Sequence, residues 1–333
     1  MSNTMGRNAN NQLLQKAKVS KSDEFYTLLP DIARELQHYT EQFRGKTVYC
    51  NCDDPGVSNF FRYFAANFQS LGLRKLIASC YKKSEANLFH QASADTGFFC
   101  EYTEANFAGG NASPIEIQHF NGDGDFRSEE SIKLLKQSDI VVTNPPFSLF
   151  REFVAQLTRY EKKFLIIGNI NAITYKEIFK LIQENRVWLG INLGRGISGF
   201  IVPEHYALYG SEARVDENGN RIVSSNNCLW LTNLDTELRH KEIELTKVYE
   251  GNEAEYPKYD NCNGINVSRT QDIPKDYGGI MGVPITFLHK FNPDQFEIIR
   301  FRKGDDGKDL SINGKCPYFR ILIRNKQVQS CRT

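Results

Sequence analysis

Asn144-Pro145-Pro146-Phe147 is a tetrapeptide whose residue types suit one reaction. The exocyclic amine of a nucleobase is a poor nucleophile because its lone pair is delocalised into the ring. Catalysis must therefore favour the pyramidal amine that attacks a sulfonium methyl. The side-chain carbonyl of Asn144 and the main-chain carbonyl of Pro145 together can accept both amine hydrogens, drawing the lone pair out of conjugation as the methyl transfers. Two consecutive prolines hold φ at about −65° and bias Asn144 and Pro145 towards extended geometry, so both acceptors are set in advance. Such preorganisation is the main catalytic resource available here. Phe147 offers a flat face on which an extruded base can stack, a contact worth about 1–3 kcal/mol. The competing reading is a proline-rich turn whose Phe simply packs in the core.

The flanking pattern decides between them. Asp139-Ile-Val-Val-Thr143 reads as a buried strand, and Phe150, Phe153, Val154 and Leu157 follow at helical spacing, with Ser148 as an expected N-cap. The tetrapeptide is thereby placed at the carboxyl end of a strand, where open α/β sheets bind their ligands. The same alternation recurs elsewhere. Lys46-Thr-Val-Tyr-Cys50 reads as a strand, and Phe60, Phe61, Phe64, Phe68 and Leu71 as a helix closed by Gly72. Lys75-Leu-Ile-Ala-Ser79 and Phe164-Leu-Ile-Ile-Gly168 are further strands, the latter followed by a helix with the capping-box spacing Thr174 to Glu177. Alternation of this kind predicts a mostly parallel sheet covered by helices. Gly199-Phe-Ile-Val-Pro203 and Cys228-Leu-Trp-Leu-Thr232, separated by a polar loop containing Asn218-Gly219, are expected to form an antiparallel pair closing that sheet. The predicted organisation is a basic arm over residues 1–22, a catalytic domain over 23–240 and a C-terminal recognition region over 241–333.

Composition sets wider bounds. The chain has 333 residues, 40% hydrophobic and 24% charged, which is ordinary for a globular protein with a sizeable core. No apolar run approaches the roughly 18–20 residues that would cross a bilayer, and a cytoplasmic protein is expected. The eight cysteines show no framework spacing, so reduced thiols are expected; Cys50 and Cys52 lack the second close pair a zinc site would need. A net charge of +1 announces no nucleic-acid partner, but the charge is segregated. Arg7, Lys16, Lys18 and Lys21 precede the first acid, Asp23, and Phe296 to Lys326 holds eight basic against four acidic residues. Both stretches could meet phosphates, or could be solvated surface.

Asp23-Glu-Phe-Tyr-Thr27, Asn51-Cys-Asp-Asp-Pro55, Gly122-Asp-Gly-Asp-Phe126 and Asn144-Pro-Pro-Phe147 lie in this order along the chain. With Leu193-Gly-Arg-Gly-Ile-Ser-Gly-Phe-Ile-Val-Pro-Glu-His-Tyr206 and Asp309-Leu-Ser-Ile-Asn-Gly-Lys-Cys-Pro-Tyr-Phe-Arg320, they make the sequence resemble the EcoRI-type DNA adenine methyltransferases over nearly its whole length. The resemblance implies a class I, Rossmann-like methyltransferase fold, S-adenosylmethionine as methyl donor, a flipped adenine in double-stranded DNA as acceptor, and no metal. It carries the catalytic role to Asn144, Pro145, Pro146 and Phe147, and contact with the methionine part of the cofactor to Tyr26 and Thr27. It also places Asn51, Asp53, Asp54 and Pro55 in the loop facing the cofactor, and Asp123, Asp125 and Phe126 near its adenine. An N-cap role for Asp53 or Asp54, and a plain Gly-Asp turn for Asp123 and Asp125, are the competing readings.

Two features depart from the broad methyltransferase pattern. The loop after the first strand offers only Gly56 in place of a glycine-rich signature, and the second strand ends in Ser79-Cys80-Tyr81 where an acidic ribose ligand is customary. The ribose partner therefore stays open. The resemblance suggests GAATTC as target, methylated at its second adenine, by an enzyme that protects DNA from a cognate restriction enzyme; whether it acts as a monomer is left open by the sequence. Lys16, Lys18, Lys21, Arg195, Arg300, Arg302, Arg320 and Arg324 are the candidate DNA contacts, although Gly194-Arg195-Gly196 also reads as a tight turn. Methylation of RNA or of a protein glutamine, which uses similar tetrapeptides, and a catalytically silent DNA-binding protein are the alternatives.

Overall fold

The computed structural model describes residues 25–81, 96–107, 115–192, 197–204, 206–208, 213–224 and 227–328. The chain divides into two compact units, Met1–Ala172 with Asn192–Leu234, and Ile173–Ile191 with Asp235–Thr333.

The first unit opens with β1 (Tyr26–Thr27), α1 (Leu29–Leu36), α2 (Thr40–Phe43) and β2 (Thr47–Cys50). It continues through α3 (Asn59–Ala66), β3 (Lys75–Cys80), β4 (Phe98–Tyr102), β5 (Ile117–His119) and α4 (Glu129–Gln137) to β6 (Ile140–Thr143), α5 (Phe150–Arg159) and β7 (Lys163–Asn169). Within this unit the large sheet has the order β5-β4-β3-β2-β6-β7-β12, where β12 is Cys228–Thr232. β3, β2, β6 and β7 run parallel to one another. Every residue of β2 and of β6 is buried, as expected of parallel strands covered on both faces. β12 lies antiparallel to β7, with Trp230 opposite Ile167, and its ring packs edge-on against Phe60 at 6.0 Å.

Helix α3 starts where Ser58 accepts hydrogen bonds from the amides of Phe60 and Phe61, at 3.1 and 3.3 Å. Its apolar positions Phe60, Phe61 and Phe64 are all buried. Burying each such ring contributes about 1.5–3 kcal/mol, far more than helix propensity could. Gly168, in β7, serves a different end. A Cβ there would meet the Phe150 ring at 2.5 Å, so the glycine makes room for the first residue of the helix that follows the tetrapeptide.

Three local expectations fail. Gly199 to Pro203 does not pair with Cys228 to Thr232; β9 (Phe200–Val202) instead joins a separate sheet of order β1-β9-β11-β10. The Asn218-Gly219 turn closes the short hairpin of β10 (Arg214–Val215) and β11 (Arg221–Val223), so the loop signal marked that nearer pair. Ser148 caps no helix, because Phe147–Leu149 forms a 3₁₀ turn and α5 begins only at Phe150, with Leu149 as N-cap. Thr174 likewise forms no capping box, since the next helix, α6 (Lys176–Gln183), has Tyr175 as N-cap and no side-chain cap bond.

The second unit contains α6, β8 (Trp188–Leu189), β13 (Gly264–Asn266), β14 (Ile280–Pro284), β15 (Phe296–Phe301) and β16 (Arg320–Asn325). Its sheet has the order β13-β14-β16-β15. α6 covers it, with Phe179 4.9 Å from Phe301 and the Gln183 side chain donating to the Ile299 carbonyl at 2.5 Å.

Candidate active site

The carboxyl ends of β2, β3 and β6 lie side by side, and the loops leaving them bring the sequence motifs together. Asn144 follows Thr143, the last residue of β6. Its amide nitrogen donates to the main-chain carbonyl of Phe25 at 2.8 Å. A carbonyl accepts only, so this bond fixes which way the amide faces and turns Oδ1 away from Phe25. That oxygen is buried and has no hydrogen-bond partner. A buried acceptor left in this way costs about 1–3 kcal/mol, which an incoming N–H donor would recover.

Pro145 is buried, and Pro146 has φ −59° and ψ 122°, its φ being the one a proline ring fixes. Phe147 is half-buried. Its ring faces Phe25 at 6.3 Å with an interplanar angle of 15°, and meets Phe200 edge-on at 6.3 Å. Phe25 also touches Phe200 at 5.7 Å and Tyr206 at 5.9 Å. The motif Phe therefore belongs to an aromatic cluster beside the polar corner, and the core reading of Phe147 is only half true. β1 pairs antiparallel with β9, Tyr26 opposite Ile201 and Thr27 opposite Phe200, and this pairing seats Phe25. Phe25, Phe200 and Tyr206 were not singled out from sequence; adjacency of Phe25 to Tyr26 was the available signal.

Thr27 is buried with its hydroxyl oxygen unpartnered, while its carbonyl accepts from Asn59 at 2.8 Å. Asn51, Asp53, Asp54 and Pro55 are all buried. Asp54 Oδ1 accepts from the Gly56 amide at 2.8 Å and so shapes the loop; the helix cap itself is Ser58, neither aspartate. Both Asp53 oxygens are taken, by the hydroxyls of Ser58 at 2.6 Å and Thr143 at 2.5 Å. Burial pushes its carboxyl up to about 6 from an ordinary 3.8.

The segment of residues 122–126 precedes α4 and is braced by its own aspartates. Asp123 accepts from the Asp125 amide at 3.0 Å, and Asp125 binds Arg127 through both oxygens, at 2.7 and 2.9 Å. That guanidinium holds the Asp125 carboxyl below the usual range. Phe126 is buried against Phe153 of α5 at 5.1 Å.

In the second unit Arg300 is exposed. Arg302 lies over the Phe319 ring at 4.3 Å and pairs with Asp309 at 3.3 Å. Arg320 donates to Asn266 at 2.9 Å, and Arg324 pairs with Glu297 at 3.4 Å. Lys16, Lys18, Lys21 and Arg195 lie outside the described residues. Among the described residues no helix is long and apolar enough to cross a membrane.

An open, largely parallel sheet with an unpartnered buried amide acceptor and an aromatic ring at its carboxyl edge has the ligand-binding edge of an open α/β protein. Comparison with known proteins makes the class specific. Residues 13–326 match the family described as adenine-specific methyltransferase EcoRI. The type II methyltransferase M.EcoRI of Escherichia coli is 67% identical over 325 residues, covering 98% of this chain and 100% of the relative. Type II methyltransferases of Mycoplasma pneumoniae, M.MpnI, and Mycoplasma genitalium, M.MgeORF184P, are 37% and 35% identical, each over 94% of this chain and 98% of their own. No solved structure matches the chain. The chain belongs to the EcoRI family of adenine-specific methyltransferases.

Proposed function

We propose that the protein moves a methyl group from S-adenosylmethionine to the exocyclic amine of an adenine flipped out of duplex DNA, and that this protects the site from a cognate restriction enzyme. The observation that carries the reading is the Asn144 oxygen, buried and unpartnered one residue beyond the end of β6. It accepts one amine hydrogen; the Pro145 carbonyl accepts the other; Phe147 stacks on the base from the aromatic side. Withdrawal of both hydrogens from the ring plane gives the amine the lone pair it lacks at rest. The role of these groups is positional, so their value lies in being fixed before the substrate arrives.

The donor supplies an electrophilic methyl on a sulfonium. The chain has groups that fit it. Thr27 presents a second buried oxygen without a partner, beside Asn59 at the start of α3, and Tyr26, Asn51, Asp54 and Pro55 are assigned to the same donor. Asp123, Asp125 and Phe126 form the segment expected at its adenine, where the exposed Asp123 is the freest to reach a ligand. The strand order β3-β2-β6-β7 with an antiparallel β12 supports the class I, Rossmann-like assignment. For the target we propose GAATTC, methylated at its second adenine, supported by identity to M.EcoRI over the full length.

Asn144→Ala tests the reading. The expected result is loss of labelled-methyl transfer to duplex DNA by a factor of at least about 100, with S-adenosylmethionine affinity kept within about threefold. Wild-type turnover in the variant would refute the assignment. Nucleoside mass spectrometry of the product must show N6-methyladenine.

A further inference from the structure

We infer that Asp53 is a positioning residue for Asn144, tying the strand end that carries the catalytic amide to its two neighbours, and that it is not a ligand of the methyl donor. The inference rests on the reading of Asn144 given above. Asp53 connects three adjacent strands. Its own amide donates to the Ser79 carbonyl of β3 at 2.9 Å, it sits in the loop leaving β2, and its Oδ2 accepts from Thr143, the last residue of β6, at 2.5 Å. Its Oδ1 accepts from Ser58 at 2.6 Å.

The proton bookkeeping fixes its state. The Ser58 oxygen already accepts from the Phe60 and Phe61 amides, so its proton must go to Asp53. Thr143 turns its single proton the same way. Both carboxyl oxygens thus receive hydroxyl donors, an arrangement that requires the ionised form. Asp53 is 7% exposed, and among the described residues no cation pairs with it. The titratable groups that face it are Asp54, Cys50 and Cys52; burial and the Asp54 carboxylate disfavour its negative charge, while burial and Asp53 itself push both thiols up. A fold that buries an unpaired carboxylate on two short bonds spends stability there; the residue immediately after Thr143 is the one whose placement the transfer needs. Both oxygens already accept from fixed hydroxyls and the side chain is buried, so a ligand would have to share an oxygen with Ser58 or Thr143.

Protonation releases one of the two hydroxyls. The methyl-transfer rate should therefore fall as pH drops through about 6, the value to which burial lifts Asp53. Asp53→Asn keeps the shape and is expected to fold, but its amide nitrogen cannot accept the Thr143 proton, so the link as built is broken. Thr143→Val removes the same link from the other side.

The test measures single-turnover methyl transfer to duplex DNA and, separately, S-adenosylmethionine affinity by calorimetry, for wild type, Asp53→Asn, Thr143→Val and Asn144→Ala. Both link variants should lose at least about tenfold in transfer rate while donor affinity stays within about twofold, and Asp53→Asn should lose the acid limb near pH 6. Donor affinity falling tenfold or more in Asp53→Asn, with or without a slower transfer, would make it a ligand and overturn the inference. So would a transfer rate unchanged in Asp53→Asn. Retention of activity by Asn144→Ala would instead sink the underlying reading, which keeps the two failures distinct.

Discussion

At the scale of single residues, Phe147 is fixed by its neighbours before any base arrives. Phe25 and Phe200 hold its ring at 6.3 Å each, so stacking a base on it costs little side-chain entropy. Phe147→Ala should lower kcat/KM for duplex DNA by about 5- to 150-fold, the equivalent of about 1–3 kcal/mol of stacking. Phe147→Tyr should stay within about threefold, because the flat face survives. Steady-state kinetics on a single-site duplex decide it, and an alanine variant with unchanged kcat/KM would remove Phe147 from the reaction. Asp53 makes a second prediction at this scale. Its folded value of about 6 stands above the ordinary 3.8, so the folded state binds the extra proton between them. The stabilising contribution is full below 3.8 and is lost as pH rises through about 6. Asp53→Asn removes that dependence. Urea midpoints measured at about pH 5 and about pH 8 should therefore favour the variant at the higher pH relative to wild type.

At the scale of elements, the packing of α5 on β7 decides where the tetrapeptide stands. Phe150 lies against Gly168, and a Cβ at 2.5 Å from its ring cannot be accommodated without moving the helix start. Gly168→Ala should destabilise by about 1–3 kcal/mol and slow transfer together, seen as a lower melting temperature and a lower single-turnover rate. A stable but slow variant would mean that α5 tilts without unfolding. This dependence was invisible in the sequence, where Gly168 is only the end of an apolar run. The same limit explains what else was legible. Strands and helices built from continuous apolar runs, such as β2, β6 and α3, announce themselves because burial on one face or both dictates the pattern. Asn144 was legible because its chemistry and its place after β6 are both local. Phe25, Phe200 and Tyr206 were not, since the pairing of β1 with β9 joins segments far apart in the chain. Ser148 and Thr174 looked like caps because cap signals are judged by type and spacing alone, whereas the helices began one or two residues later.

At the scale of the whole molecule, a net charge of +1 means that attraction to a polyanion must come from local surface. Of the five arginines expected to meet DNA, four lie among the described residues and three of those are already engaged: Arg302 with Phe319 and Asp309, Arg320 with Asn266, and Arg324 with Glu297. Removing any of these three would disturb the second unit as well as its surface, so a loss of DNA binding there could not be assigned to a lost contact. Arg300 is different, being exposed on β15, where truncation leaves the sheet intact. If Arg300 meets a phosphate, Arg300→Ala should weaken specific and non-specific duplexes by similar factors and reduce the slope of log affinity against log salt by about 1. If it reads a base edge, the specific duplex alone should suffer, by about 1–3 kcal/mol, with the salt slope nearly unchanged. Fluorescence anisotropy titrations at several salt concentrations on GAATTC and scrambled duplexes separate the two. Unchanged affinity for both duplexes would leave Arg300 as solvated surface and move the search for phosphate contacts to the basic residues before Asp23.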